Sequence, residues 1–165
     1  MSRAATRAIA ALNAAQVPYE ILRYRHDPDR QSFGAEAVEQ LSDTGPAGVR
    51  PEQIFKTLIV ALPQGLAVAV LPVPAKLSLK AVAAALGVPK ATMADPMAAQ
   101  RSTGYVLGGI SPLGQRKALP TVVDASALDF DRVLCSAGQR GWDVALAPTD
   151  LIRLTVAVTA DVQAH

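Results

Sequence analysis

Residues 54–62, Ile-Phe-Lys-Thr-Leu-Ile-Val-Ala-Leu, and residues 66–73, Leu-Ala-Val-Ala-Val-Leu-Pro-Val, flank Pro63-Gln64-Gly65 and read as two strands joined in a hairpin. Lys56 interrupts a strand that is otherwise almost wholly apolar. A lysine in that setting must snorkel, sit at the strand end or face a polar cavity. Outward from the hairpin, helical and extended patterns alternate irregularly. Residues 4–15 carry Ala5, Ile9 and Leu12 on one helical face, with Ser2 as cap and Pro18 beyond the end. A strand over 19–25 follows, then a helix over 33–41 capped by Ser32 and a Gly/Pro-bearing loop over 42–50.

On the C-terminal side, Ser78 caps a helix over 79–86 with Gly87 as a left-handed stop. Asp95-Pro96 starts a short helix that Gly104 ends. Strands are expected at 105–107, 121–124, 132–136 and 144–146, then a short helix from Thr149-Asp150 through Leu154 and a return to the sheet over 156–162. No repeat or linker divides the chain, so residues 1–165 are expected to form a single domain. The pattern predicts an α+β fold: a mixed, curled or barrel-like sheet with helices around it.

Half of the 165 residues are apolar but only 4% aromatic, which predicts an aliphatic core of small, closely packed side chains. The net charge of +2 neither requires nor excludes nucleic acid; it suits a protein that grips the end of an RNA better than one that holds a long duplex. The single cysteine, Cys135, excludes an intrachain disulfide. No run approaches the roughly 18 apolar residues of a membrane span, and the N-terminus lacks a signal-like apolar stretch, so a cytoplasmic protein is expected.

Residues 104–112, Gly-Tyr-Val-Leu-Gly-Gly-Ile-Ser-Pro, cannot continue a helix or a central strand. Such a segment is either an ordinary loop or a wall that lets backbone approach a ligand. Neither Gly-x-Gly-x-x-Gly nor a P-loop is present, and no cofactor is expected. His26-Asp27 invites a metal reading, but His165 is the only other histidine and no ligand cluster surrounds either, so no metal is expected. There is no Gly-x-Ser-x-Gly elbow, and Cys135 in its apolar run reads as a buried small hydrophobe. The chain therefore shows no conventional hydrolytic nucleophile.

Four ordered blocks carry a resemblance: Phe55-Lys56-Thr57-Leu58, Ala94-Asp95-Pro96-Met97 through Tyr105, Gly108 to Gly114, and Ser136-Ala137-Gly138-Gln139-Arg140-Gly141-Trp142-Asp143. Together, over about residues 4–160, they resemble the YbaK/EbsC family of free-standing aminoacyl-tRNA editing proteins, relatives of the editing domain inserted in bacterial prolyl-tRNA synthetase. Within it the Cys-tRNA(Pro)/Cys-tRNA(Cys) deacylases are most similar. The resemblance implies the same α+β fold and assigns roles. Lys56 matches the essential lysine, acting electrostatically beside the terminal adenosine phosphate or the ester. Thr57 matches a pocket residue, which in a regular strand next to Lys56 requires a bulge or a strand end.

Gly108, Gly109, Ile110, Ser111 and Pro112 match the loop whose backbone holds the aminoacyl carbonyl and filters the side chain, so a Cβ at Gly108 should block substrate. Ser136 and Asp143 match pocket positions; the Asp143 carboxylate would receive the substrate α-ammonium, although by position alone a turn aspartate is the simpler reading. Tyr24 and Phe33 match pocket aromatics. Trp142 departs from the smaller aliphatic residue usual there and could narrow the pocket. Arg101, Arg116, Lys117 and Arg140 could hold the acceptor end of tRNA or form a solvated rim.

The implied activity is trans-editing of mischarged Cys-tRNA(Pro), in which the substrate's own thiol attacks its ester and leaves as a thiolactone. That would account for the missing nucleophile. A sibling deacylase for a substrate such as Ala-tRNA(Pro), or a non-catalytic tRNA- or synthetase-binding module, are the other readings. The implied partners are the aminoacyl-tRNA acceptor end and prolyl-tRNA synthetase.

Overall fold

The computed structural model describes residues 5–24, 33–44 and 49–165. The hairpin forms as its pattern demands. β2 (Phe55–Leu62) pairs antiparallel with β3 (Gly65–Pro72), in unbroken register from Phe55 against Pro72 to Leu62 against Gly65. They are the centre of a five-stranded sheet ordered β4-β2-β3-β5-β8, with β4 at Thr92–Met93, β5 at Thr121–Asp124 and β8 at Val158–Ala160. β5 joins β3, and β8 joins β5, in parallel, which makes the sheet mixed. A second, antiparallel sheet runs β1-β7-β6, with β1 at Glu20–Arg23, β6 at Val133–Gln139 and β7 at Trp142–Leu146. The two sheets meet at an isolated parallel bridge, Ile54 to Leu134, and do not close into a barrel.

That junction is pinned from several sides. The 3-10 turn Pro51–Gln53 leads into β2, and the Gln53 side-chain amide donates to Arg132 O at 3.0 Å, just ahead of β6. α1 (Arg7–Ala15) buries Ala8, Ile9 and Leu12. Its cap is Thr6, which accepts from Ile9 N and donates to Ala137 O at 2.6 Å, tying the helix to β6; the expected cap, Ser2, lies outside the described residues. α2 (Phe33–Thr44) covers the small sheet and runs beyond the expected 33–41, while its expected cap, Ser32, is also outside the described residues.

α3 (Leu79–Ala85) is capped by Ser78, and Gly87 behind it adopts φ +71°, as expected. α4 (Pro96–Thr103) starts at the Asp95 cap and ends on left-handed Gly104. α5 (Pro148–Thr155) starts earlier than the Thr149-Asp150 cap that the sequence suggested, because Pro148 fills the first helical position, where its missing N–H costs nothing. The expected strand at 105–107 is absent. The Tyr105 ring is buried and its hydroxyl donates to Leu113 O at 2.6 Å, while Gly109 N closes a turn onto Val106 O.

The largest apolar cluster lies between α1, the small sheet and one face of β2–β3; a second lies under α3 on the other face. A third joins α2 to the small sheet. No helix among the described residues is long and apolar enough to cross a membrane.

Candidate active site

A cleft of about 320 Å³ opens where β2 leaves the small sheet. On its β4 side, β2 is paired among the described residues only at Val60 and Ala61, so residues 55–58 present an edge with no described partner strand to the cleft. This resolves how adjacent residues of a strand both reach one site. Lys56 and Thr57 point to opposite faces but border the same edge near the strand end, with no bulge in the register.

Lys56 is fixed by backbone. Its Nζ donates to Val73 O at 3.2 Å and to Ala75 O at 2.6 Å. Those carbonyls are accessible because the chain leaves the ladder there: Pro72 and Pro74 have no N–H to donate, and Ala75 N turns back onto Pro72 O. An ammonium has three donors, so one remains for a ligand. Burial lowers the Lys56 pKa from its usual value. The Thr57 hydroxyl, also buried at the cleft, has no hydrogen-bond partner among the described residues.

Asp143 stands opposite, in the central strand of the small sheet, level with Leu22 on β1 and Ser136 on β6. It is 5% exposed, and burial pushes its carboxyl up to about 7. No ion-pair or hydrogen-bond partner of its carboxylate occurs among the described residues. Tyr24 beside it is pushed above the usual phenol value, first by burial and then by the Asp143 charge. Ser136 Oγ accepts from Gly138 N at 3.1 Å, within an irregularity of the β6–β7 pairing.

The mouth is formed by Phe33 at the start of α2 and by the 107–110 loop. Gly108 has φ +82°, and a Cβ there would come within 2.5–2.7 Å of the Phe33 ring. The first obstacle to a side chain at Gly108 is thus the opposite wall, together with the strain of a left-handed φ. Arg140, on the β6–β7 turn, lies 4.6 Å over the Phe33 ring and donates Nε to Leu107 O at 2.7 Å.

Of the residues singled out by sequence, the cleft brings together Tyr24, Phe33, Lys56, Thr57, Gly108, Ile110, Ser136 and Asp143. Gly109, Ser111 and Pro112 do not line it. The Gly109 Cα faces the β6–β7 turn, 3.1 Å from Arg140 N by the position of an added Cβ, and its N–H is spent on Val106 O. Ser111 is fully buried, its Oγ accepting from Leu113 N, and Pro112 is buried beside it. Trp142 is also outside the cleft. It alternates away from Asp143 and lies under the Arg23 guanidinium at 4.3 Å. Arg140 stands at the mouth, whereas Arg101, Arg116 and Lys117 are exposed and outside the cleft lining. His26 and Asp27 lie outside the described residues. Sequence reasoning missed Gly34 and Ala37, the small residues of α2 that leave room for the cleft, and the Val73 and Ala75 carbonyls. Prolines on both sides of Val73 were the available signal for the latter.

Residues 34–154 match the model of the aminoacyl-tRNA editing domain. The chain belongs to the aminoacyl-tRNA editing family. Across 151 residues it is 34% identical to an Enterococcus faecalis protein named "Putative Cys-tRNA(Pro)/Cys-tRNA(Cys) deacylase EbsC", covering 91% of this chain and 88% of that one. A crystal structure of "hypothetical protein APE2540" superposes with a TM-score of 0.81 at 26% identity, over 96% of this chain and 99% of the other. Another, described as "a putative trans-editing enzyme for prolyl tRNA synthetase", has the same fold, with a TM-score of 0.79 at 24% identity over 100% and 99% of the two chains. The mixed α+β architecture expected from sequence is that of these two structures.

Proposed function

We propose that this member of the editing family removes cysteine from mischarged Cys-tRNA(Pro) in trans, and that the substrate supplies the nucleophile. The observation that carries this reading is the make-up of the cleft: two oppositely charged groups placed to hold a ligand, and no paired nucleophile and base among the described residues that line it. No described histidine stands beside Ser136: His165, the only one, is bonded to Asp161 in the C-terminal tail. Cys135 is fully buried, and burial raises its thiol far from the nucleophilic range.

In this mechanism Asp143 receives the α-ammonium, and the remaining Lys56 N–H meets the ester or the adjoining phosphate. The cysteinyl sulfur attacks its own carbonyl carbon and the bond to the ribose oxygen breaks. The thiol proton ends on that ribose hydroxyl, so the products are cysteine thiolactone and uncharged tRNA. The protein positions the reactants, a contribution that can supply several orders of magnitude in rate. Trp142, lying outside the cleft, offers no reason to prefer a smaller substrate side chain such as alanine. The reading places the protein in the cytoplasm as one editing domain over residues 1–165, delivered to its target by prolyl-tRNA synthetase.

The test is a comparison of Cys-tRNA(Pro) with Ser-tRNA(Pro), which differ by one atom at the attacking position. Cleavage of the first with the second resistant is expected. Rapid cleavage of both would overturn the thiol-assisted mechanism.

A further inference from the structure

A second groove lies on the far side of the 104–108 loop from the cleft, and its chemistry is different. Arg7 at the start of α1 and Arg140 on the β6–β7 turn stand along it, with Thr6, Tyr105 and Gln139 in the walls. No acidic residue is among the described residues that line it. Two glycines in left-handed conformation, Gly104 at φ +82° and Gly138 at φ +98°, form part of its surface. A Cβ on Gly138 would press on the Tyr105 ring at 2.7 Å, and one on Gly104 would sit 3.4 Å from Arg116 Cβ and 3.7 Å from Arg7 Nε. Arg7 and Arg116 therefore flank Gly104 together.

Arg50, Arg132 and Arg153 each have a carboxylate within ion-pair distance, from Glu52, Glu20 and Asp150. Among the described residues Arg7, Arg23, Arg101, Arg116 and Arg140 have no carboxylate within ion-pair distance, and two of them, Arg7 and Arg140, line this groove. A net charge of only +2 thus conceals two arginines lining one glycine-walled groove, Arg7 and Arg140, and a third, Arg116, whose Cβ stands beside Gly104, all without a carboxylate partner among the described residues. Arg140 belongs to both places: it lines the groove, stacks on Phe33 and bonds Leu107 O at the cleft mouth. A chain whose end enters the cleft and which carries one negative charge per link would leave past Arg140 toward Arg7 and Arg116.

We propose that this groove is a track for the phosphodiester backbone of the unpaired 3′ end of the RNA, holding the nucleotides just before the terminal adenosine. It rests on the reading that the cleft takes an aminoacyl-tRNA. Arg7 is the new element: an exposed α1 residue, distant in sequence from every cleft residue, that would bind phosphate. Glycine walls suit such a ligand because they let its backbone lie close to the protein's own. Contacts of this type position the RNA without reading its sequence.

The test uses an uncharged, fluorescently labelled RNA minihelix with a four-nucleotide 3′ overhang and its blunt-ended twin, titrated by anisotropy at several salt concentrations. Arg7→Ala and Arg116→Ala should each weaken binding of the overhang RNA about five-fold at 0.1 M salt. Each should also lower the slope of log affinity against log salt by about 0.7, the loss of one single-strand phosphate contact. Arg7→Lys should retain most of the affinity, and Lys80→Ala on α3 should change nothing. The blunt twin should bind the wild type and all variants equally weakly. Equal binding of the two RNAs by the wild type, or equal effects of Arg7→Ala and Lys80→Ala, would overturn the proposal. Arg7-dependent binding by a protein that cleaves no aminoacyl-tRNA would sustain the groove and remove the catalytic reading, so the two failures are distinguishable.

Discussion

The two halves of β2 share one strand and one hairpin partner yet behave as different materials. Residues 59–62 lie in the interior of the five-stranded sheet, with β3 on one side and β4 on the other at Val60 and Ala61, and they feed two apolar clusters. Residues 56–58 keep β3 but have no described neighbour strand on the other edge, and there the strand carries a lysine and a hydroxyl with no described partner. The site occupies that edge. Stability and function are thus separated by about one turn of pleat along a single strand.

The separation predicts opposite responses to truncation. Lys56→Ala should cut deacylation by roughly 100- to 1,000-fold, the scale of losing one preorganised donor to developing charge, with no loss of melting temperature. Val60→Ala, at a fully buried position, should cost about 2 kcal/mol of stability while leaving the rate of the folded protein intact. Steady-state kinetics and thermal melts of the two variants side by side decide it. A Lys56→Ala protein that melts early would make the lysine a packing element and erase the contrast.

Gly108→Ala should reduce activity by about 100-fold, because its left-handed φ and the Phe33 ring leave no room for a methyl group. The double variant Gly108→Ala/Phe33→Ala sharpens the cause. Partial recovery is expected if the methyl group acts through Phe33; none is expected if it meets the substrate itself.

Asp143 links the site to pH in two directions. With its carboxyl near 7, it turns from mostly neutral to mostly ionised between about pH 6 and pH 8, so KM for an ammonium-bearing substrate should fall over that interval. Asp143→Asn should flatten the profile. Stability runs the other way. A carboxyl raised above its unfolded value of about 3.9 costs nothing below that pH, costs progressively more as pH rises, and costs its full amount above about 7. Asp143→Asn should therefore raise the melting temperature more at pH 8 than at pH 5.

The smallest expected effect is at Thr57. Replacement by valine removes a buried hydroxyl that has no described partner, so the free protein should gain about 1 kcal/mol. Deacylation should slow by about ten-fold if that hydroxyl bonds the substrate, and unchanged kinetics would assign Thr57 to packing.

Much of the scaffold was legible because its signals are local. The hairpin ends within a residue of its expected limits, and Ser78, Asp95 and Gly104 cap their helices as their residue types suggest. What could not be read depends on contacts distant in sequence. Tyr105-Val106-Leu107 looks like a strand, but the tyrosine hydroxyl is committed to Leu113 O and the two aliphatic residues face outward. The same division holds at the site. Lys56 stood out as a charge in an apolar run, whereas its anchors are backbone carbonyls seventeen and nineteen residues away, which only the prolines flanking Val73 hint at. The glycine pair looked like one wall, yet Gly108 faces the cleft and Gly109 faces the β6–β7 turn.

The most direct test of the account is deacylation of Cys-tRNA(Pro) beside Ala-tRNA(Pro), with the released product identified by mass. Cysteine thiolactone from the first and no cleavage of the second is the predicted result. Free alanine from Ala-tRNA(Pro), with Cys-tRNA(Pro) untouched, would contradict it: the cleft would then activate water, and the substrate and mechanism proposed here would both be wrong.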